Sequence, residues 1–166
     1  MRHVMMLATV LAMAGADSAF GETKFTPATG PGCKDESSDQ FGQWTCPGPA
    51  GYAIRFADEG NIVSLTIAPR RSLEKRQGPS AQWRGAGKAF GDKVQWIMRA
   101  GIPKAAVIRT WHRQGDDESE IQELSIFAIN PESACLYAAI DSHTDKANET
   151  ALARAEQAAD SRCPEK

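Results

Sequence analysis

Tyr52-Ala53-Ile54-Arg55-Phe56-Ala57-Asp58-Glu59-Gly60-Asn61-Ile62-Val63-Ser64-Leu65-Thr66-Ile67-Ala68 is the stretch from which the fold is read. Tyr52, Ile54 and Phe56 alternate with Ala53, Arg55 and Ala57. Past the turn residues Asp58 to Asn61, Val63, Leu65 and Ile67 alternate with Ser64, Thr66 and Ala68. A period of two puts one large apolar set on a single face, so the stretch is a β-hairpin with one buried side.

The same period recurs downstream. Val94, Trp96 and Met98 alternate with Gln95, Ile97 and Arg99, and Gly101-Ile102-Pro103 reads as a turn. Ala105 to His112 is a further strand, with Val107, Arg109 and Trp111 on one face and Ala106, Ile108, Thr110 and His112 on the other. A polar, acidic loop from Gln114 to Glu120 leads to a strand over Ile121 to Ile129. The turn Asn130-Pro131-Glu132-Ser133 then leads to a strand over Ala134 to Asp141. Strands joined by turns this short run antiparallel. In the last of them Cys135, Tyr137 and Ala139 share one face and Leu136, Ala138 and Ile140 the other. Both faces are apolar, which predicts cover on both sides.

Asp145 to Arg162 carries Ala151, Leu152, Ala155, Ala158 and Ala159 on one stripe, which Cys163 continues just past its end, the pattern of an amphipathic helix. A strand of eight residues spans ~26 Å at ~3.3 Å each. A helix of 18 residues returns ~27 Å at 1.5 Å per residue. The helix therefore doubles back on the Cys135/Tyr137/Ala139 face and brings Cys163 beside Cys135, which leaves Cys33 to pair with Cys46. No two cysteines have the spacing of zinc ligands. The expected fold is α+β: an antiparallel β-meander of about six strands, a C-terminal helix packed on one face, and two disulfides.

The chain has 166 residues, 42% hydrophobic and 24% charged, with a net charge of −2. That size and composition imply one domain, and the near-neutral balance argues against a general nucleic-acid binder. Arg2 and His3 precede an apolar run from Val4 to Ala14, followed by small residues, which is the layout of a secretory signal peptide over residues 1–21 with cleavage after Ala16 or Gly21. The run is shorter than the ~20 residues needed to span a bilayer. The expected location is therefore the periplasm or the exterior, where an even set of four Cys is read as disulfides. Residues 22–50, rich in Gly, Pro, Ser and Asp, read as a loop-rich segment pinned by Cys33 and Cys46, with residues 51–166 as the body of the domain.

Between Pro69 and Asp92 the regular pattern lapses, and a short strand near Lys88 to Phe90 is the only element expected there. A gap of that length in a compact domain is commonly functional. It holds Arg70, Arg71, Arg76, Trp83, Arg84, Lys88 and Phe90, a cationic and aromatic set of the residue types favoured at binding hot spots. The segment is accordingly the expected recognition surface, for an unknown protein or an anionic envelope component.

Signals for catalysis are sparse. Ser72-Leu73-Glu74-Lys75 fits Ser-x-x-Lys, but the Ser-Asp-Asn and Lys-Thr-Gly strings that accompany it in penicillin-interacting enzymes are missing. No Gly-x-Ser-x-Gly elbow is present. Arg84 to Gly91 fails the phosphate-loop pattern at Gln82 and Ala89. Asp116, Asp117, Glu118 and Glu120 lack the layout of a calcium loop. Asp141-Ser142-His143-Thr144-Asp145 reads as a strand-to-helix turn with a helix cap. Residues 22–166 retain only His112, His143 and Met98 of their types.

The early Cys pair, Trp44-Thr45-Cys46-Pro47-Gly48-Pro49-Ala50-Gly51-Tyr52, and the late Cys135…Cys163 strand and helix resemble small uncharacterised exported proteins of bacteria, a resemblance over most of the mature chain that implies no particular activity. A Cys followed by the hairpin from Tyr52 to Ile67 is also similar to periplasmic lysozyme inhibitors of the C-type family. Their Ser-Gly-x-x-Tyr signature has no match here, and the terminal helix is a further departure.

The expected function is a non-catalytic periplasmic or secreted binding or inhibitor module, monomeric, with no cofactor and no metal. The rivals are a small hydrolase using His112 or His143 with nearby carboxylates, and an envelope structural or stress protein without a small ligand. Alkylation of the unfolded, unreduced protein should add no label, and alkylation after reduction should label all four Cys, as read by intact mass.

Overall fold

In the computed structural model the described residues are 21–76, 78–85, 88–114 and 119–164. The expected signal segment up to residue 20 lies outside them, as do Asp116, Asp117 and Glu118 of the acidic loop. The strands are β1 (Glu22–Pro27), β2 (Lys34–Asp35), β3 (Gly42–Pro47), β4 (Tyr52–Asp58), β5 (Ile62–Pro69), β6 (Ala81–Arg84), β7 (Phe90–Arg99), β8 (Ile102–Gln114), β9 (Ser119–Ile129) and β10 (Ala134–Asp141). The helices are a single turn, α1 (Arg70–Leu73), and α2 (Ala147–Ala159). No described helix is long and apolar enough to cross a membrane.

The hairpin read from Tyr52 to Ala68 is β4 and β5, paired from Tyr52↔Pro69 to Asp58↔Val63. The sheet it belongs to is larger than expected, with ten strands in place of about six. Three of the additional strands lie in the segment expected to be loop. β1 pairs with β7 from Glu22↔Met98 to Pro27↔Lys93, yet none of its residues is buried. A strand held by backbone hydrogen bonds to a distant partner carries no period-two apolar signal. β3 buries only Thr45 and Cys46 and is flanked by Gly and Pro. β6, inside the expected gap, is four residues long.

All the pairings are antiparallel. The strands run β2-β3-β4-β5-β6 in one half and β1-β7-β8-β9-β10 in the other, and the halves join where Arg84 of β6 pairs with Arg113 of β8. The sheet curls at this seam into a half-barrel and encloses an inner core. Ile54, Phe56, Leu65 and Ile67 from one half meet Trp96, Met98, Ile108 and Phe127 from the other. Trp96 is wholly buried, and its indole Nε1 donates to Thr26 Oγ1 at 2.8 Å. The tight approach there requires Gly48, because a Cβ at that position would lie 2.7 Å from the Trp96 ring.

The outer face of β7, β8 and β9 carries Ile97, Ala105, Val107, Leu124, Ile126 and Ala128. α2 covers it with Ala147, Ala151, Ala155 and Ala158, all buried. Small side chains at helical spacing let the helix axis come close to the sheet. On its flank, Arg99 of β7 is ion-paired with Glu156 of α2.

Both expected disulfides are present, with Cα separations of 4.1 Å for Cys33–Cys46 and 5.7 Å for Cys135–Cys163. The geometric route to the second differs from the one expected. α2 has 13 residues, and Ser161 to Cys163 continue as non-helical chain to reach Cys135. The faces of β10 also differ. A register shift between Leu136 and Ala138 re-aims the strand. Cys135, Ala138 and Ile140 therefore pack toward α2, while Leu136, Tyr137 and Ala139 are exposed and the strand is not covered on both sides.

Ala155→Leu should destabilise the protein by about 1–3 kcal/mol through overpacking between α2 and the sheet. Ala153→Leu, at an exposed position of the same helix, should change stability by less than about 0.5 kcal/mol. Chemical denaturation compares the two.

Candidate functional site

The expected recognition segment divides among three places. Pro69 closes β5, and the chain then makes the single turn of α1, with Ser72 Oγ donating to the Pro69 carbonyl at 3.0 Å. Leu73, 3% exposed, packs against Ala53 and Ala68 and anchors this turn. Arg70 and Arg71 are thereby left on the outside. The Arg76 guanidinium donates to the carbonyl of Glu132 and ties the segment to the β9–β10 turn.

Two open clefts flank this tie. The first, of about 750 Å³, is bordered by Arg70, Arg71 and Lys104, with Tyr52, Ile102 and Pro131 among its apolar walls. The second, of about 730 Å³, is bordered by Lys75, Arg76 and Arg162, with Ser72, Ser133 and the Cys135–Cys163 bridge in its wall. Asn130 and Glu132 line both. Arg70, Arg71, Lys75, Lys104 and Arg162 have no ion pair among the described residues. Burial, reinforced by the Glu132 carboxylate, pushes the Tyr52 phenol above its usual range, with Arg71 acting in the opposite sense. Tyr52 thus stands at the cleft as a neutral hydroxyl, able to donate.

The other expected residues lie elsewhere. Lys88 is 3.0 Å from Asp92 and sits 5.6 Å from the centre of the Trp111 ring. Arg84 occupies the ladder between β5 and β8. Phe90 is 5% exposed and belongs to the inner core, against Phe56 at 4.9 Å between ring centroids. Trp83, half-buried, packs against the inner core, with its ring stacked on His112 at 6.1 Å between centroids. Of the seven residues, Arg70, Arg71 and Arg76 border the two clefts, whereas Trp83 and Phe90 meet each other, at 6.3 Å between ring centroids.

Beneath Trp83 lies a polar cluster. His112 Nε2 is 2.8 Å from Glu123 Oε2, and Thr110 Oγ1 is 2.8 Å from Ser125 Oγ. Thr110, His112 and Ser125 are all buried. His143 is exposed in the turn after β10, with Nδ1 3.1 Å from Asp141 Oδ1. Each histidine therefore has a carboxylate, but none of the five described cavities is lined by His112, Glu123 or Ser125. Ser125 spends its hydroxyl on Thr110 rather than on His112. Among the described residues, no three His, Cys, Asp or Glu side chains converge as a metal site would require.

The turn after β10 works differently from the expected helix cap. Asp141 Oδ1 accepts from the His143 amide at 2.9 Å, a bond that holds the Asp141 carboxyl below its usual range. The helix itself begins later, behind Lys146 in the left-handed conformation, with no side-chain cap.

Lys104, Lys75, Arg162, Tyr52 and Glu132 were not singled out as site residues by the sequence. Lys75 stands in the Arg-rich run and was open to inclusion, whereas Lys104 and Arg162 join it only through the turns of the sheet. His112→Ala should cost about 1–3 kcal/mol by leaving Glu123 without its partner beneath Trp83. His143→Ala, at an exposed site, should cost less than about 0.5 kcal/mol. Equal losses in denaturation would contradict the different environments of the two histidines.

Compared with family models, with curated proteins and with solved structures, the chain matches none of them.

Proposed function

We propose that this protein is a non-catalytic binding module, periplasmic or secreted, that takes an anionic ligand at the cleft bordered by Arg70, Arg71 and Lys104. The observation that carries the reading is the juxtaposition of these three cations with apolar walls and the neutral Tyr52 hydroxyl, in a cleft where none of the three has an ion pair among the described residues. Cations without internal partners keep their attraction for an external anion, and apolar walls strengthen it by excluding water. The extracytoplasmic location is supported by the signal-like first 21 residues and by two disulfides, which persist in oxidising compartments.

The hydrolase alternative is favoured by the contact between His112 and Glu123. It requires space for a substrate beside that pair, where Trp83 is stacked.

Titration with polyglutamate, dextran sulfate and phosphatidylglycerol vesicles covers protein, glycan and lipid anions. At least one should bind saturably, more weakly as salt rises. The double variant Arg70→Glu/Arg71→Glu should weaken that binding about tenfold or more, the scale on which opposed charges at an interface act. Absence of binding to all three, or a double variant that binds like the parent, would overturn the reading.

A further inference from the structure

We infer that the two clefts form one site, and that its occupant is an extended acidic peptide segment with a carboxylate in each. The inference rests on the anion-binding reading above and names its ligand class. The clefts meet across Asn130 and Glu132, and each has its own cations: Arg70, Arg71 and Lys104 in the first, Lys75, Arg76 and Arg162 in the second. Their volumes, about 750 and 730 Å³, are each of the size that holds one small ligand, so together they suit a molecule that runs from one to the other. The second cleft also holds an unmet donor: Arg76 Nε is buried with no hydrogen-bond partner among the described residues. A buried donor of this kind is stabilised by an arriving acceptor.

Glu132, among the described residues the one acid bordering both clefts, shapes the ligand between its ends. A carboxylate there repels a continuous polyanion but accepts from N–H groups, and a peptide presents amide N–H groups between its acidic side chains. Short apolar groups interrupt the cations in both walls, Ile102 and Pro131 in the first and Ala134 and Pro164 in the second. Such walls accommodate a chain of alternating side chains better than a continuous acyl tail. The Cys135–Cys163 bridge holds Arg162 against the second cleft before any ligand arrives, which lowers the ordering cost of binding.

The test uses acetylated, amidated peptides with two glutamates separated by a variable alanine spacer, together with the corresponding one-glutamate peptide, on the full protein. The two-glutamate series should show an optimum spacing, with affinity about tenfold or more above the single-glutamate peptide, because the second contact is then intramolecular. Arg162→Glu, at an exposed position, should abolish this gain, bringing the two-glutamate peptide down to the affinity that the single-glutamate peptide has for the same variant. Glu132→Gln should weaken the optimal peptide and tighten inorganic phosphate. Equal affinity for one and two glutamates at every spacing would overturn the two-cleft inference, as would an Arg162→Glu variant that keeps the gain. Binding to phosphatidylglycerol vesicles that no peptide displaces would replace the peptide with a lipid. Failure of the single-glutamate peptide and of every polyanion would instead overturn the anion-binding reading beneath it.

Discussion

The structure depends on a single long strand, β8, whose two edges and two faces are all in use. Along one edge it pairs with β9 from Ala105↔Ala128 to Gln114↔Ser119. Along the other it pairs first with β7 and then, at Arg113, with β6. Its inner face contributes Ala106 and Ile108 to the core of the half-barrel, and its outer face contributes Ala105 and Val107 to the seat of α2. Because successive side chains point to opposite faces, slipping the register by one residue would exchange the two cores and put Arg109 and Trp111 inside.

The two cores are built on different principles. The inner one is filled by large side chains, with Trp96 wholly buried, Trp44 stacked on Phe56, and Phe90 meeting both at steeper angles. The outer one is a close approach of helix and sheet through alanine, where little area per residue is gained. The Cys135–Cys163 bridge and the Arg99–Glu156 pair reinforce that outer layer at opposite flanks. The turns and α1 border the basic clefts, while His112, buried and paired with the half-buried Glu123, stacks on Trp83.

Much of this was legible in the chain. The alternation in Tyr52 to Ala68 identified a hairpin and its buried face, and the apolar runs in Ala105 to Ile129 identified two further strands, which bury side chains on both faces. The alanine stripe identified α2 and the surface it seeks. What remained hidden has a common physical cause. β1 is held to β7 by backbone bonds with no buried residue of its own, and the bulge in β10 reverses the meaning of its alternation after Leu136. The basic run at Arg70 was legible as a candidate binding segment, but Trp83 and Phe90 were grouped with it only because they are near in sequence. Apolar demand drew Phe90 into the inner core and packed Trp83 against it, away from Arg70, Arg71 and Arg76.

Taken alone, the sequence determined an antiparallel sheet with a C-terminal helix, the pairing of the four cysteines and the scarcity of reactive side chains, because these follow from local periodicity, chain length and composition. Tertiary structure decided the curl of ten strands into a half-barrel, the burial of His112 against Glu123, and the meeting of Arg70 and Arg71 with Lys104 and of Arg76 with Arg162. Those meetings are between residues far apart along the chain. They are set by which strand edges and turns end up side by side, a property that no local pattern encodes.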